Sequence, residues 1–369
     1  MQNPKNDKLS QIVSRRNALH LTNAVVLAAV TGILIWAAGR FPAVVESVYR
    51  PFSRFILNIL AWITNIVPIS LAEILLCILA IIGVVAVGYL IIRLITGPKR
   101  LSVFFSWLVR VLSFAASLVF AFYLLWGLNY HAPPLAETLS LSVQPRSQEE
   151  LANLTRYLAE KANALAVIIE RDEDGSVAAG TWKDMAHAVA EEFSHVTGRP
   201  EMPVKPILLS KPLSYMQTSG VFTPYTGEAN VNTNNVATDL PFTMAHELAH
   251  RYAIAPENEA NFFAFYALHN SDSPLLSYSA YLSALRSAHN ALASANYDLF
   301  AETTATYHEL VLLDLREYSR HWSSYEGKVA EASAKVYNTY LITQGQDSGI
   351  RSYGEMVDLL LAWYAAESR

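Results

Sequence analysis

Cysteine occurs once in these 369 residues, at Cys77 inside an apolar run. Disulfides are thereby excluded, and so is a zinc site built on thiolates. Any metal must be held by histidine and carboxylate. Charge is scarce as well: Asp, Glu, Lys and Arg make up 16% of the chain against 52% hydrophobic residues. That balance is too apolar for an ordinary water-soluble enzyme, and the shortage of charge is concentrated before Tyr130. The net charge of -5 comes without any basic patch, which argues against a nucleic-acid partner. Internal repeats, low-complexity tracts and glycine-rich phosphate loops are all missing.

What is present before Tyr130 is a set of long apolar runs, at residues 22–38, roughly 70–92 and roughly 111–128. Each approaches the ~20 residues a helix needs to cross a bilayer. With their flanks they predict spans at about 20–39, 69–93 and 107–128 inside a membrane region covering 18–130. No small-residue cleavage site follows the first run at Gly39-Arg40-Phe41, so it reads as a retained anchor. Lys5, Lys8, Arg15 and Arg16 precede the first span, and Arg93, Lys99 and Arg100 separate the second from the third. Only Arg40, Arg50 and Arg54 lie between the first and second. The positive-inside rule then places the tail (1–17) in the cytoplasm and the domain from 131 to 369 outside the cytoplasmic membrane. Residues 52–66 are apolar but short, interrupted by Arg54, Asn58 and Asn65, with Trp62 suited to an interface. They predict an interfacial or re-entrant helix. A fourth crossing there would turn the domain to the cytoplasm, with a poorer charge balance. Arg110, near the start of the third span, can snorkel to the headgroups.

The domain is organised around Pro241–Phe265, in which His246, Glu247 and His250 match H-E-x-x-H. On a helix, positions i and i+4 share a face, so both imidazoles can meet one ion, while Glu247 can serve a water on it as base. Asp239 and Pro241 supply a helix start, and Pro256 a break. A second helical run then carries Glu257 and Glu259, either of which could be the third ligand. Zn2+ in such a site leaves a position for water, whose pKa falls to roughly 7. Glu247 takes a proton from that water as it attacks a carbonyl and passes it to the leaving amine. Tyr225, Tyr307, His308 and Tyr353 are candidates for a second oxyanion donor, and Asn261 for orienting a ligand.

The rest predicts a mainly helical domain. Helices are expected at 148–168, 182–195, 257–269, 278–294, 299–318, 325–343 and 353–365, with Gly345 and Gly349 breaking the penultimate one. His187 and His195 read as surface residues. Between 204 and 232, alternation and β-formers predict a small sheet or hairpin just before the metal helix, with Gly220 and Gly227 marking turns. Its edge could receive an extended peptide.

His246-Glu-Leu-Ala-His with Glu259-Ala-Asn-Phe resembles the gluzincin metallopeptidases, in which H-E-x-x-H is completed by a downstream Glu. More closely, the chain resembles a family of bacterial membrane proteins, domain-of-unknown-function family 3810. That similarity rests on the N-terminal spans, on residues 220–232, on the Glu-Ala-Asn-Phe run and on Ser352-Tyr-Gly-Glu. The resemblance implies zinc on His246, His250 and Glu259, with Glu247 as general base; Glu257 competes for the third position. The expected protein is a multi-pass membrane zinc metallopeptidase acting on a peptide or protein substrate outside the cytoplasmic membrane, with the lipid bilayer as its other partner. Its alternative is a non-catalytic zinc-binding sensor or scaffold, which a closed four-ligand site would mark.

Overall fold

The computed structural model describes residues 15–173, 175–178, 180–346 and 352–367. Lys5, Lys8, Gly349 and the side chain of Tyr353 lie outside the described set. The protein is mainly α-helical, with three long apolar N-terminal helices and one small three-stranded sheet. It divides into two compact units.

The first unit holds residues through Ser53 together with Leu71–Ala132. The N-terminal third of the chain forms α1 (Arg15–Arg40), α2 (Arg50–Thr64), α3 (Leu71–Thr96) and α4 (Arg100–Leu125). Helices α1, α3 and α4 have 26 residues each, about 39 Å at 1.5 Å per residue, enough to cross a hydrocarbon core of about 30 Å. α4 begins seven residues before the expected start at 107, because Gly97-Pro98 ends α3 and Lys99 makes the turn with φ 59°. Arg110 is therefore ten residues into α4, on its exposed side. Small polar side chains join α1 to α4. Asn17 Nδ2 donates to Ser106 Oγ at 2.6 Å, and Asn23 Nδ2 to Ser113 Oγ at 2.8 Å. Sequence number rises along both helices together, so α1 and α4 run parallel. Hydrogen bonds of this kind are a standard glue between helices in hydrocarbon.

The second unit joins Arg54–Ser70 to Pro133–Arg369. Residues 54–70, expected within the membrane region, thus group with the globular part. Three contacts explain it. Arg54 Nε donates to Tyr252 O at 2.7 Å, Thr64 Oγ1 to Thr226 O at 3.2 Å, and Lys205 Nζ to Thr64 O at 2.5 Å.

The unit continues with α5 (Gln148–Ala166), α6 (Trp182–Thr197), β1 (Lys205–Pro206), β2 (Gly220–Thr223) and β3 (Glu228–Val231). There follow α7 (Leu240–Arg251), α8 (Glu257–Leu268), α9 (Pro274–Ala295), α10 (Tyr297–Thr304), α11 (Glu309–Ser323), α12 (Lys328–Thr343) and α13 (Ser352–Glu367). Local chemistry starts and stops these elements. Ser147 and Glu150 form a reciprocal capping box on α5; Thr181 caps α6, and Gly198 ends it in the left-handed region. The stretch 299–318, expected as one helix, is two. Asn163 on α5 accepts the N–H of His308 and donates to Thr306 O, and His308 Nδ1 accepts from Leu310 N–H as the cap of α11. His187 and His195 are exposed on α6.

The sheet order is β1-β3-β2, with β1 parallel and β2 antiparallel to β3. Gly227 turns the β2–β3 hairpin at φ 66°, as a residue without Cβ can. Gly220 departs from expectation: it is the first residue of β2 rather than a turn. The buried core centres on α7, α8 and α9, where Leu248, Phe262, Phe265 and Tyr278 are fully buried. Each such side chain contributes on the order of 1.5–3 kcal/mol by leaving water.

Candidate metal centre

Helix α7 carries the H-E-x-x-H residues, and its position is fixed at both ends. Asp239 occupies the N-cap position, yet its side chain does not cap the helix. The carboxylate instead accepts from Asn235, Thr243 and Arg286, while the N–H of Phe242 donates to Ser279 Oγ at 3.1 Å. At the other end Arg251 is fully buried against Glu201, with Nε and Nη2 at 3.0 and 2.8 Å from one carboxylate oxygen. Immediately afterwards Ala253 takes φ 64°, and the N–H of Ile254 returns to Ala249 O at 3.0 Å. This left-handed turn reverses the chain within a few residues, so α8 starts beside the face it has just left.

His246 and His250 stack edge to face with ring centroids 4.6 Å apart. His250 Nδ1 lies 2.8 Å from Ile254 O. A hydrogen bond there requires the proton on Nδ1, which leaves the Nε2 lone pair for a metal. Glu257, the first residue of α8, closes the group: its carboxylate oxygens are 3.3 Å from His246 Nε2 and 3.4 Å from His250 Nε2. One ligand atom from each residue lies within 4.8 Å of the others; His250 and Glu257 are buried and His246 nearly so. Bonds of about 2.0–2.1 Å to a tetrahedral zinc ion imply ligand–ligand edges of about 3.3 Å, so the donor set and its spacing fit Zn2+.

Glu259, the expected third ligand, is not in this group. Two residues along a helix turn a side chain through about 200°. With Glu257 aimed at the histidines, Glu259 points elsewhere, and its Oε1 accepts the N–H of Leu135 at 2.9 Å. The carboxylate that stands with the two histidines is that of the competing residue, Glu257.

Electrostatics tie the three together. Burial opposes charge on His250, but the adjacent Glu257 carboxylate overrides it and lifts the imidazole to about 9. Burial equally opposes charge on Glu257, yet the two histidines hold its carboxyl well below the ordinary range. Glu247 behaves differently. Burial pushes it up to about 7, tempered by the nearby histidines. Its carboxylate accepts from the N–H of Phe222, while Oε2 is buried with no hydrogen-bond partner among the described residues. Gly220 makes that position possible. A Cβ there would come within 2.7 Å of Glu247 Cγ, so only glycine lets β2 approach so closely.

Among the other expected participants, Tyr307 is buried and its hydroxyl lies 3.1 Å from His289 Nδ1. His308 caps α11, and Tyr225 sits in the hairpin turn. Asn261 is buried on α8, and among the described residues no hydrogen bond joins it to the ligands. The residue that does reach the centre went unnoticed in the sequence: Tyr337 on α12 donates its hydroxyl to Glu257 Oε1 at 2.6 Å. Only its place on a helical face is visible in the sequence, and that gives no sign of the contact.

Residues 47–361 match the family described as "Protein of unknown function (DUF3810)". The chain belongs to this family. The match takes in α7, α8 and Tyr337, so the whole metal centre lies within the DUF3810 region. Neither a curated protein nor a solved structure matches the chain.

Proposed function

We propose that this DUF3810 protein is a membrane-anchored zinc peptidase of gluzincin type, with His246, His250 and Glu257 as ligands and Glu247 as general base. The observation that carries the reading is the pairing of a three-residue ligand group with a separate buried carboxylate. Among the described residues the group has three members, where a closed structural site would have four. Next to them, Glu247 Oε2 has no hydrogen-bond partner among the described residues.

A bound zinc ion supplies Lewis-acid chemistry, polarising a carbonyl and bringing the pKa of a ligated water to about 7. The protein's own residues do the rest. Glu247 would take up at Oε2 the proton of the water that attacks the carbonyl and return it to the departing amine. Gly220 and the N–H of Phe222 keep its carboxylate in place between the two transfers. His250 is held in one tautomer by Ile254 O, and Glu257 is oriented by Tyr337.

The catalytic unit acts outside the cytoplasmic membrane. The lysine and arginine balance of the loops supports this orientation, and so does the parallel run of α1 and α4. First and third spans must be parallel in a three-span protein, whereas a crossing by residues 52–66 would make them antiparallel.

The test is metal analysis of the purified full-length protein beside Glu247→Gln, with hydrolysis of a broad peptide library as readout. One zinc per chain and cleavage by the wild type alone are expected. Zinc bound in both proteins, with no peptide cut by either, would refute the peptidase reading.

A further inference from the structure

Helix α2 shows two faces. Leu57, Ala61 and Thr64 are buried within the second unit, whereas Phe55, Ile59, Trp62 and Ile63, with Ile66 just beyond the helix, form an exposed apolar stripe at helical spacing. The helix contains no acidic residue, and Arg54 turns inward, its guanidinium 3.7 Å from the Tyr252 ring.

We propose that this stripe lies on the bilayer surface, and that the metal site therefore works on polypeptides held at that surface, taking the stretch close to a membrane anchor. The second clause rests on the peptidase reading above. Connectivity identifies the occupant. Nine residues separate α2 from α1 and six from α3, both long and apolar enough to cross a membrane. Residues 65–70 can reach at most about 20 Å, and Lys205 Nζ shortens that by holding Thr64 O and Ile69 O together. An apolar helix face so tethered on both sides meets lipid before it meets any other partner, and Trp62 is suited to the headgroup layer.

The same helix sets the distance to the chemistry. The hairpin turn at Gly227 rests on α2, where a Cβ would collide with the Ala61 backbone, and the other end of β2 rests on Glu247 at Gly220. Four residues of strand are about 13 Å. β2 is a sheet edge, and in its register the Ser219 carbonyl bonds Asn232, so the backbone groups of Gly220 and Phe222 point away from β3, with the Phe222 N–H on the Glu247 carboxylate. A polypeptide in line with this edge passes Glu247 and continues towards α2. Its scissile bond then lies only a handful of residues from the surface on which α2 rests.

The full-length protein in lipid nanodiscs tests both clauses. Acylated peptides that place one cleavable sequence either about 5 or about 25 residues from the lipid anchor are compared, with a flexible linker in the longer one. The near substrate is expected to be cut at least about tenfold faster, and Ile59→Glu with Trp62→Glu to abolish that preference while still cutting the free peptide. Equal rates on the two tethers would overturn the substrate class. A nitroxide at Ile59→Cys in a Cys77→Ser background reads docking without activity. It is expected to be relaxed by oxygen and shielded from a water-soluble nickel chelate, unlike a label at Val336→Cys on exposed α12. Equal nickel access at both positions would overturn the docking itself. A shielded label with no peptide cut in any form would remove the peptidase reading and the substrate class, and leave the docking standing.

Discussion

Glu257 and Glu259 begin the same helix two residues apart, and about 200° of helical rotation separates their tasks: one meets the histidines, the other the N–H of Leu135. Substitution separates them. Glu257→Ala is expected to lower zinc affinity by at least about 100-fold. Glu259→Ala is expected to keep the zinc and to lose about 1–3 kcal/mol of stability, because the buried N–H of Leu135 is left without an acceptor. Metal titration and thermal melts of the two variants check both. Zinc loss in Glu259→Ala at unchanged stability would reverse the assignment.

The sequence spoke most clearly where local rules suffice. The i, i+4 spacing of His246 and His250, the Pro256 break and the apolar runs follow from helix geometry and composition alone. It was silent where a contact joins distant segments. Choosing between Glu257 and Glu259 depends on how Ala253 turns the chain, and a left-handed alanine leaves no mark in composition. Asp239 looked like a cap but is taken by Arg286, forty-seven residues away in sequence. Tyr337 reaches the site from a helix eighty residues beyond Glu257. The apolar composition of residues 52–66 suggests an interfacial helix, but it gives no sign that Lys205, far along the chain, ties the end of that helix to the sheet.

Glu247→Gln keeps the shape of the side chain and removes its capacity to take a proton. Metal content is expected to stay at wild-type level while peptide hydrolysis falls by about 10²–10⁴ in kcat. A variant that loses zinc together with activity would show Glu247 to be a ligand rather than a base.

Tyr337→Phe removes only the hydroxyl that donates to Glu257. Groups that orient a metal ligand in this way typically contribute 10–100-fold in affinity, so zinc is expected to dissociate about 10–100 times more readily from the variant. Competition with a chelator of known affinity measures it. Unchanged affinity would confine Tyr337 to packing.

The buried Arg251–Glu201 pair follows directly on His250 and joins the end of α7 to the segment before β1. Glu201→Ala leaves the guanidinium buried without its carboxylate, a change expected to cost about 3–5 kcal/mol. Denaturation of the detergent-solubilised protein reads the loss. A cost below about 1 kcal/mol would mean that water reaches Arg251 in the variant.

Gly220 separates strand geometry from ligand chemistry, since the atoms nearest to a Cβ placed there are those of the base. Gly220→Ala forces a methyl group into the space of the Glu247 side chain, so the carboxylate must shift or β2 must move away. A displacement of about 1 Å at a reacting group can cost roughly 100-fold in rate. Kcat is therefore expected to fall by about that factor, with zinc content unchanged because His246, His250 and Glu257 are untouched. Zinc analysis and peptide kinetics on the same preparation make the comparison. A fully active Gly220→Ala would mean that Glu247 works from a position other than the one β2 allows it here.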